Sequence, residues 1–188
     1  MTRVIAGVAG GRRLVTPEGR DTRPTADRAR EGLFSTVLSL LGPLDGLRAA
    51  DFYAGSGAVG LEALSRGAAH ALLVESAPRA AKAIRENIAV LALPGAELAA
   101  DRADRVASQE PDEPYDFVYV DPPYAVPAEE VTALLEALRD NAWLAPAALV
   151  AVERATRTRP PFSWPEGFTA ERARKYGEAT IHYASTPG

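Results

Sequence analysis

Four consecutive residues, Asp121, Pro122, Pro123 and Tyr124, stand directly after the apolar run 117–120, and they are the residues of this chain best suited to chemistry. Neither proline has a backbone N–H, so the peptide carbonyls beside them can point into a cleft without being taken up by a helix or a sheet. The Asp121 carboxylate and a neighbouring carbonyl can accept hydrogen bonds from one exocyclic amino group, and the Tyr124 ring offers a stacking face worth about 1–3 kcal/mol to a flat base. Prolines also stop strands routinely, so Asp-Pro-Pro taken alone reads equally as a strand-ending turn. The residues upstream decide between these readings.

Residues 49–60 read as a short buried strand, a glycine turn and the start of a helix. Gly55, Gly57 and Gly60 fit the G-x-G-x-x-G spacing, and Glu75 closes the next apolar run, 71–74. Glycines let a backbone approach a ligand closely, and an acid at the tip of the second strand can grip two ribose hydroxyls. This spacing alone also suits a dinucleotide. Asp51 favours another nucleoside cofactor, because a carboxylate just before the turn repels a pyrophosphate but suits the amino group of S-adenosylmethionine, directly or through water. The pocket expected for that cofactor comprises Asp51, Tyr53, Gly55, Ser56, Gly57, Glu75 and Ser76. Asp101, followed by Arg102, is expected beside the adenine, with a helix N-cap as a compatible structural role. Four acids, Asp51, Glu75, Asp101 and Asp121, would then emerge at the carboxyl ends of four parallel strands, where ligands collect on such folds.

The elements that must hold these residues follow from periodicity. Residues 3–6 and 12–15 flank a glycine-rich loop and read as a β-hairpin projecting ahead of the main domain. A helix begins near Thr25, with apolar residues at helical spacing from Leu33 to Leu41, and Gly42-Pro43 stops it. Strands are expected at the glycine turn, at 71–75, 97–100, 117–120 and 148–153, with helices between them, one starting at Pro78. A terminal antiparallel pair is expected near 169–176 and 179–183. Strands alternating with helices demand a parallel sheet, here with one strand reversed by the final hairpin. The expected fold is α/β, a Rossmann-like sheet with an N-terminal β-hairpin extension; residues 1–24 form a basic arm and residues 25–188 the main domain.

Composition narrows the function classes. The 188 residues include no cysteine and two histidines, which argues against disulfides and a protein-held zinc or iron centre. No apolar run approaches the length needed to span a bilayer, so no membrane partner and a cytoplasmic location are expected. Net charge is −4, yet residues 1–30 carry about +4 and the remainder about −8. A basic segment on an acidic body can bind phosphates while the body limits sticking to unrelated RNA. Arg3, Arg12, Arg13, Arg20, Arg23 and Arg30 are the expected RNA contacts, an exposed charged face being the plainer alternative. Thr25 and Arg28 can reach the methionine carboxylate of the cofactor or an RNA phosphate. Ion pairs of Arg23 and Arg28 with Asp27 or Glu31 are the alternative for those two arginines.

Three blocks carry a resemblance over essentially the whole chain. They are Arg3-Val4-Ile5-Ala6-Gly7 with Gly11-Arg12-Arg13-Leu14; Arg23-Pro24-Thr25-Ala26-Asp27-Arg28-Ala29-Arg30-Glu31 leading to Phe34; and the glycine turn with Glu62-Ala63-Leu64-Ser65-Arg66-Gly67-Ala68, joined to Asp-Pro-Pro-Tyr. With these the chain resembles the bacterial 16S rRNA guanine-N2 methyltransferases of the RsmD family, its mycobacterial branch in particular. The resemblance implies a class I S-adenosylmethionine-dependent methyltransferase that modifies a guanine exocyclic nitrogen in 16S rRNA, within a 30S subunit or an assembly intermediate, and acts as a monomer. Asp121 and the Pro122 carbonyl would then hold the amino group and Tyr124 the flipped base. Methylation of DNA adenine-N6 or cytosine-N4 would use the same four residues; protein glutamine methylation is a further alternative, although such enzymes usually prefer asparagine at the first of the four. A nicotinamide oxidoreductase would share the glycine turn, and a non-catalytic RNA-binding assembly factor would keep the basic segment without needing an intact clamp.

Overall fold

The apolar runs become strands and the amphipathic stretches between them become helices. A computed structural model describes residues 1–17 and 24–188, with Pro24 and Thr25 described in the backbone alone. Helices α1 (Pro24–Leu41), α2 (Ala58–Ser65), α3 (Pro78–Leu91), α4 (Ala103–Ala107) and α5 (Ala128–Asp140) alternate with strands β1 (Arg48–Phe52), β2 (His70–Val74), β3 (Ala96–Ala99), β4 (Tyr115–Val120) and β5 (Leu144–Ala155). A hairpin of β6 (Thr169–Tyr176) and β7 (Ala179–Ser185) ends the chain. The seven strands form one sheet in the order β3-β2-β1-β4-β5-β7-β6. β1 to β5 pair in parallel and β7 runs antiparallel to both its neighbours, as expected of a Rossmann-like sheet closed by a hairpin.

Side chains alternate across a strand, so each strand feeds two cores. Phe117, Tyr119, Leu149 and Ala151 join Leu33, Phe34 and Val37 of α1, Leu61 and Leu64 of α2 and Ile84 of α3 on one face. Phe52, Val118, Val120, Val150 and Val152 join Val131, Leu134, Leu135 and Leu138 of α5 on the other, where Phe52 meets Trp143 edge to face. This alternation fixes the site before any ligand is considered. Asp51 is the register partner of Tyr119, and both fall on the α1 face with the residues at even spacing from them.

The N-terminal segment departs from the expected projecting hairpin. One antiparallel bridge, Arg3 to Arg13, links its two sides, and its apolar residues Val4, Ala9 and Leu14 are buried in the α1-side core. The N–H groups of Val4, Gly11 and Leu14 bond across the hairpin, but others end on the body: those of Ile5 and Ala6 donate to the Glu62 carboxylate at 2.8 and 3.0 Å, and that of Ala9 to Ser65 Oγ at 2.9 Å. Val15 exchanges two bonds with the Asn87 side chain, at 2.7 and 2.9 Å. A two-stranded ribbon cannot bury its own apolar residues, so side chains of α2 and α3 serve as its missing strand. Gly7, at φ +85, lies where a Cβ would overlap the Ser65 carbonyl. A boundary near residue 24 therefore separates segments that the fold packs together.

Candidate functional site

A cavity of about 530 Å³ opens above the carboxyl ends of β1, β4 and β5. It brings together Arg30, Asp51, Tyr53, Gly55, Ser56, Asp121 and Tyr124, seven of the residues singled out from the sequence. Further lining comes from Leu33 of α1, from Thr2 and Thr16, from the start of α2, and from the β6–β7 turn at residues 176–179.

Beneath the glycine turn lies Asp51, only 2% exposed. Its Oδ2 accepts the Gly60 N–H at 3.0 Å, in the first turn of α2, and no cation pairs with it among the described residues. Burial pushes its carboxyl up to about 8, the Gly60 bond pulls it back, and the negative charge of Glu75 adds to the rise. A cation arriving over Asp51 would relieve this unfavourable burial. The turn above it is wound through left-handed backbone at Tyr53 (φ 62), Gly55 (φ 61) and Gly57 (φ 83). Tyr53 is the costly member of this series, since only glycine adopts such angles without strain, and strain of this kind clusters at binding sites.

At the tip of β2, Glu75 spans the turn. Its Oε1 accepts the Gly55 N–H at 2.8 Å and its Oε2 the Ala77 N–H at 2.9 Å, and each oxygen retains a lone pair. A buried acid seeking a cation, a close-approach turn and a held carboxylate at the second strand tip form a set of acceptors that fits the amino group and ribose of S-adenosylmethionine. Glu75, Ser76, Asp101 and Arg102 stand outside the cavity lining, on the β2–β3 side of the turn. Asp101 accepts the Arg102 N–H at 2.7 Å and lies 3.8 Å from Arg105. The N-cap of α4 is Arg102 itself, so the capping role considered for Asp101 is not the one it takes. Arg102 pairs with Asp104 at 2.9 Å in an exposed position.

The Asp-Pro-Pro-Tyr segment leaves β4 at the cavity rim. The Pro123 carbonyl accepts the Val126 N–H at 2.9 Å, whereas the Pro122 carbonyl receives no hydrogen bond among the described residues. Arg154, buried on the opposite face, donates to the Val126 carbonyl at 2.9 Å and fixes the end of this loop. Tyr124 is 53% exposed, an uncovered aromatic face at the mouth.

The basic residues divide. Arg3, Arg12, Arg13 and Arg28 are exposed, with Arg12 donating to the Val90 carbonyl at 2.9 Å. Arg30 is 7% exposed; it donates to the Arg3 carbonyl and stands 3.3 Å from Asp27 and 3.7 Å from Glu62, so it braces the N-terminal segment and reaches the surface only at the cavity wall. Arg20 and Arg23 lie outside the described residues, as does the Thr25 side chain.

Sequence reasoning missed two side chains on the cavity floor, Tyr119 and Glu153. The Tyr119 hydroxyl donates to Glu153 Oε1 at 3.3 Å. Burial first, then the charges of Asp121, Glu153 and Asp51, hold this phenol well above its ordinary range, so it stays a donor. Glu153 carried a legible signal, an acid one residue past the apolar run 148–152, placed as Asp121 is after 117–120.

Comparison with known proteins gives one answer. The family model described as conserved hypothetical protein 95 matches residues 2–185. The chain is 40% identical over 151 residues to ribosomal RNA small subunit methyltransferase D of Escherichia coli strain K12, covering 80% of this chain and 73% of that one. It is 33% identical over 179 residues to the Haemophilus influenzae protein of the same name, covering 93% and 89%. Among solved structures, Escherichia coli yhhF superposes with a TM-score of 0.84 at 32% identity, over 100% of this chain and 98% of that one. With the match running nearly end to end and the whole sheet superposing, the chain belongs to the RsmD family, methyltransferases built on a Rossmann-like class I sheet.

Proposed function

We propose that this protein transfers a methyl group from S-adenosylmethionine to the exocyclic N2 of a guanine in 16S rRNA, within a small subunit or its assembly intermediate, and that it acts as a cytoplasmic monomer. One observation carries the reading: a buried acid with no cation paired to it among the described residues, Asp51, and an acid at a proline-flanked strand end, Asp121, line the same cavity beneath an exposed aromatic ring. The small-subunit rRNA methyltransferase names of the relatives supply the substrate class.

When bound, S-adenosylmethionine supplies an electrophilic methyl group on a sulfonium. Asp51 takes the cofactor's ammonium, the strained turn at 53–57 lets the backbone approach, and Glu75 accepts from the ribose hydroxyls, with Ser56 and Ser76 beside them. Asp101 and Arg102 border the adenine. Thr25 and Arg28 are assigned to the methionine carboxylate or an RNA phosphate, and Arg3, Arg12 and Arg13, with Arg20 and Arg23, to RNA phosphates. Arg30 serves as a brace. Tyr124 stacks the flipped base, which cannot be reached while paired in RNA.

The guanine amino lone pair is delocalised into the ring, so hydrogen bonds from the amine to Asp121 and the Pro122 carbonyl favour a pyramidal nitrogen aimed at the methyl carbon. The N–C bond forms as the donor's S–C bond breaks, and the surplus proton leaves nitrogen for Asp121 or solvent. The test is mass mapping of 16S rRNA from cells lacking the gene, complemented with wild type or Asp121→Ala. One N2-methylguanine should vanish on deletion, return with wild type and stay absent with a folded Asp121→Ala protein. Its return with that variant would sink the clamp.

A further inference from the structure

The floor of the cavity carries more acid than an amino-group clamp requires. Asp121 and Glu153 follow Val120 and Val152, which are register partners in the parallel β4–β5 pair. Neighbouring strands lie about 4.8 Å apart, so the two carboxylates leave the sheet side by side. Alternation from Tyr119 and Ala151 sends both to the α1 face, and both line the cavity. The Tyr119 hydroxyl holds Glu153 Oε1 at 3.3 Å, which orients the carboxylate while leaving lone pairs for a second donor. No arginine or lysine forms an ion pair with Glu153 among the described residues.

Two adjacent acceptors match a ligand edge with two adjacent donors. Guanine alone among the four RNA bases places an exocyclic amino group next to a ring N–H. Adenine and cytosine put a ring lone pair beside the amino group, and a carboxylate facing that lone pair is repelled and left unpaired. We propose that Glu153 is the residue that selects guanine, accepting its N1–H while Asp121 accepts from N2. This rests on the reading of the cavity as a base-methylation site, and it assigns Glu153 a role distinct from proton removal.

The experiment uses the full-length protein and small subunits reconstituted around 16S rRNA ligated to carry guanine or 2-aminopurine at the mapped position. 2-Aminopurine keeps the amino group but has a lone pair where guanine has N1–H. The quantity read is the guanine to 2-aminopurine ratio of kcat/KM in Glu153→Gln divided by that in wild type, which cancels the intrinsic reactivity of the two bases. A hydrogen bond to a charged group is worth enough for this ratio to fall about 10- to 100-fold. Glu153→Gln should lose on guanine and hold or gain on 2-aminopurine, because its carboxamide N–H can donate to the ring lone pair, and its cofactor affinity should be unchanged. An unchanged ratio, whether from equal losses on both bases or from no loss on either, overturns the assignment of Glu153 and leaves the methylation site standing. Mapping of the wild-type methyl group to any atom other than guanine N2 removes the underlying reading instead.

Discussion

Two buried carboxylates about one helix apart meet opposite fates. Glu62 of α2 is fully buried, yet its two oxygens accept the N–H groups of Ile5 and Ala6, and Arg66 bonds it at 2.8 Å with Arg30 3.7 Å away. Asp51 of β1 is 2% exposed and accepts one backbone N–H, with burial pushing it up to about 8. A buried charge is tolerable when paired and hydrogen-bonded and costly otherwise. The ion-paired acid rivets the N-terminal segment to the body; the other, with no cation paired to it among the described residues, is left to receive one. Acids that look equivalent in the sequence are therefore separated by who else arrives beside them.

The comparison breaks first at Glu62. Glu62→Ala strands Arg30 and Arg66 and two backbone donors, which should cost about 3–5 kcal/mol. At about 2–4 °C per kcal/mol for a chain of this size, the melting temperature should fall by roughly 6–20 °C. Removing residues 1–15 should lower it similarly, since Val4, Ala9 and Leu14 leave the core. A truncated protein that melts with wild type would show that the segment is an independent arm after all.

Asp51→Asn should do the reverse. Titration calorimetry should show S-adenosylmethionine binding weakened about 100-fold from the loss of the buried charge partner, with stability at neutral pH held or raised. The pH dependence has a definite sign. With a folded value of about 8 against 3.8 unfolded, the folded state keeps its proton longer, so Asp51 favours folding below pH 4 and that contribution is lost as pH rises to 8. For the same reason cofactor binding to wild type should release a proton near neutrality, and affinity should climb toward pH 8 and fall again above it, where the cofactor's own ammonium loses its proton. An Asp51→Asn protein with the wild-type slope would detach that proton from Asp51.

Glu75→Ala should weaken the cofactor about 10-fold, since hydroxyls lose an acceptor, and should loosen the turn that Gly55 and Ala77 anchor. Unchanged affinity would remove Glu75 from the ribose site. The smallest effect belongs to the hydroxyl at the cavity mouth. Tyr124→Phe should keep activity within about threefold, while Tyr124→Ala should raise the RNA KM by the 1–3 kcal/mol of a lost stack. Equal losses in both variants would make the hydroxyl, and not the ring face, the working part.

How far the sequence reached varies by residue. The parallel sheet with its reversed last strand was legible because strand and helix periods differ and each run was bounded by glycine or proline, as at Gly42-Pro43 and Pro78. Asp51 and Asp121 were legible because their neighbours restrict what the backbone can do. Arg30, expected from the sequence as an RNA contact, is buried against Glu62, and nothing local distinguishes a cation facing RNA from one bracing a carboxylate 32 positions later. The capping alternative for Asp101 failed by a single residue, the resolution limit of boundary reading.

By itself, then, the sequence determined the order of strands and helices, the glycine turn and the acids at strand ends, because hydrophobic period, missing N–H groups and left-handed backbone are properties of a few adjacent residues. Tertiary structure decided what no window contains: that Val120 pairs with Val152, bringing Glu153 beside Asp121; that Tyr119 tethers Glu153; and that the first seventeen residues lend their backbone donors to Glu62, Ser65 and Asn87. Those outcomes rest on register between strands distant in the chain and on whether a buried charge finds its partners, and only the packed whole fixes either one.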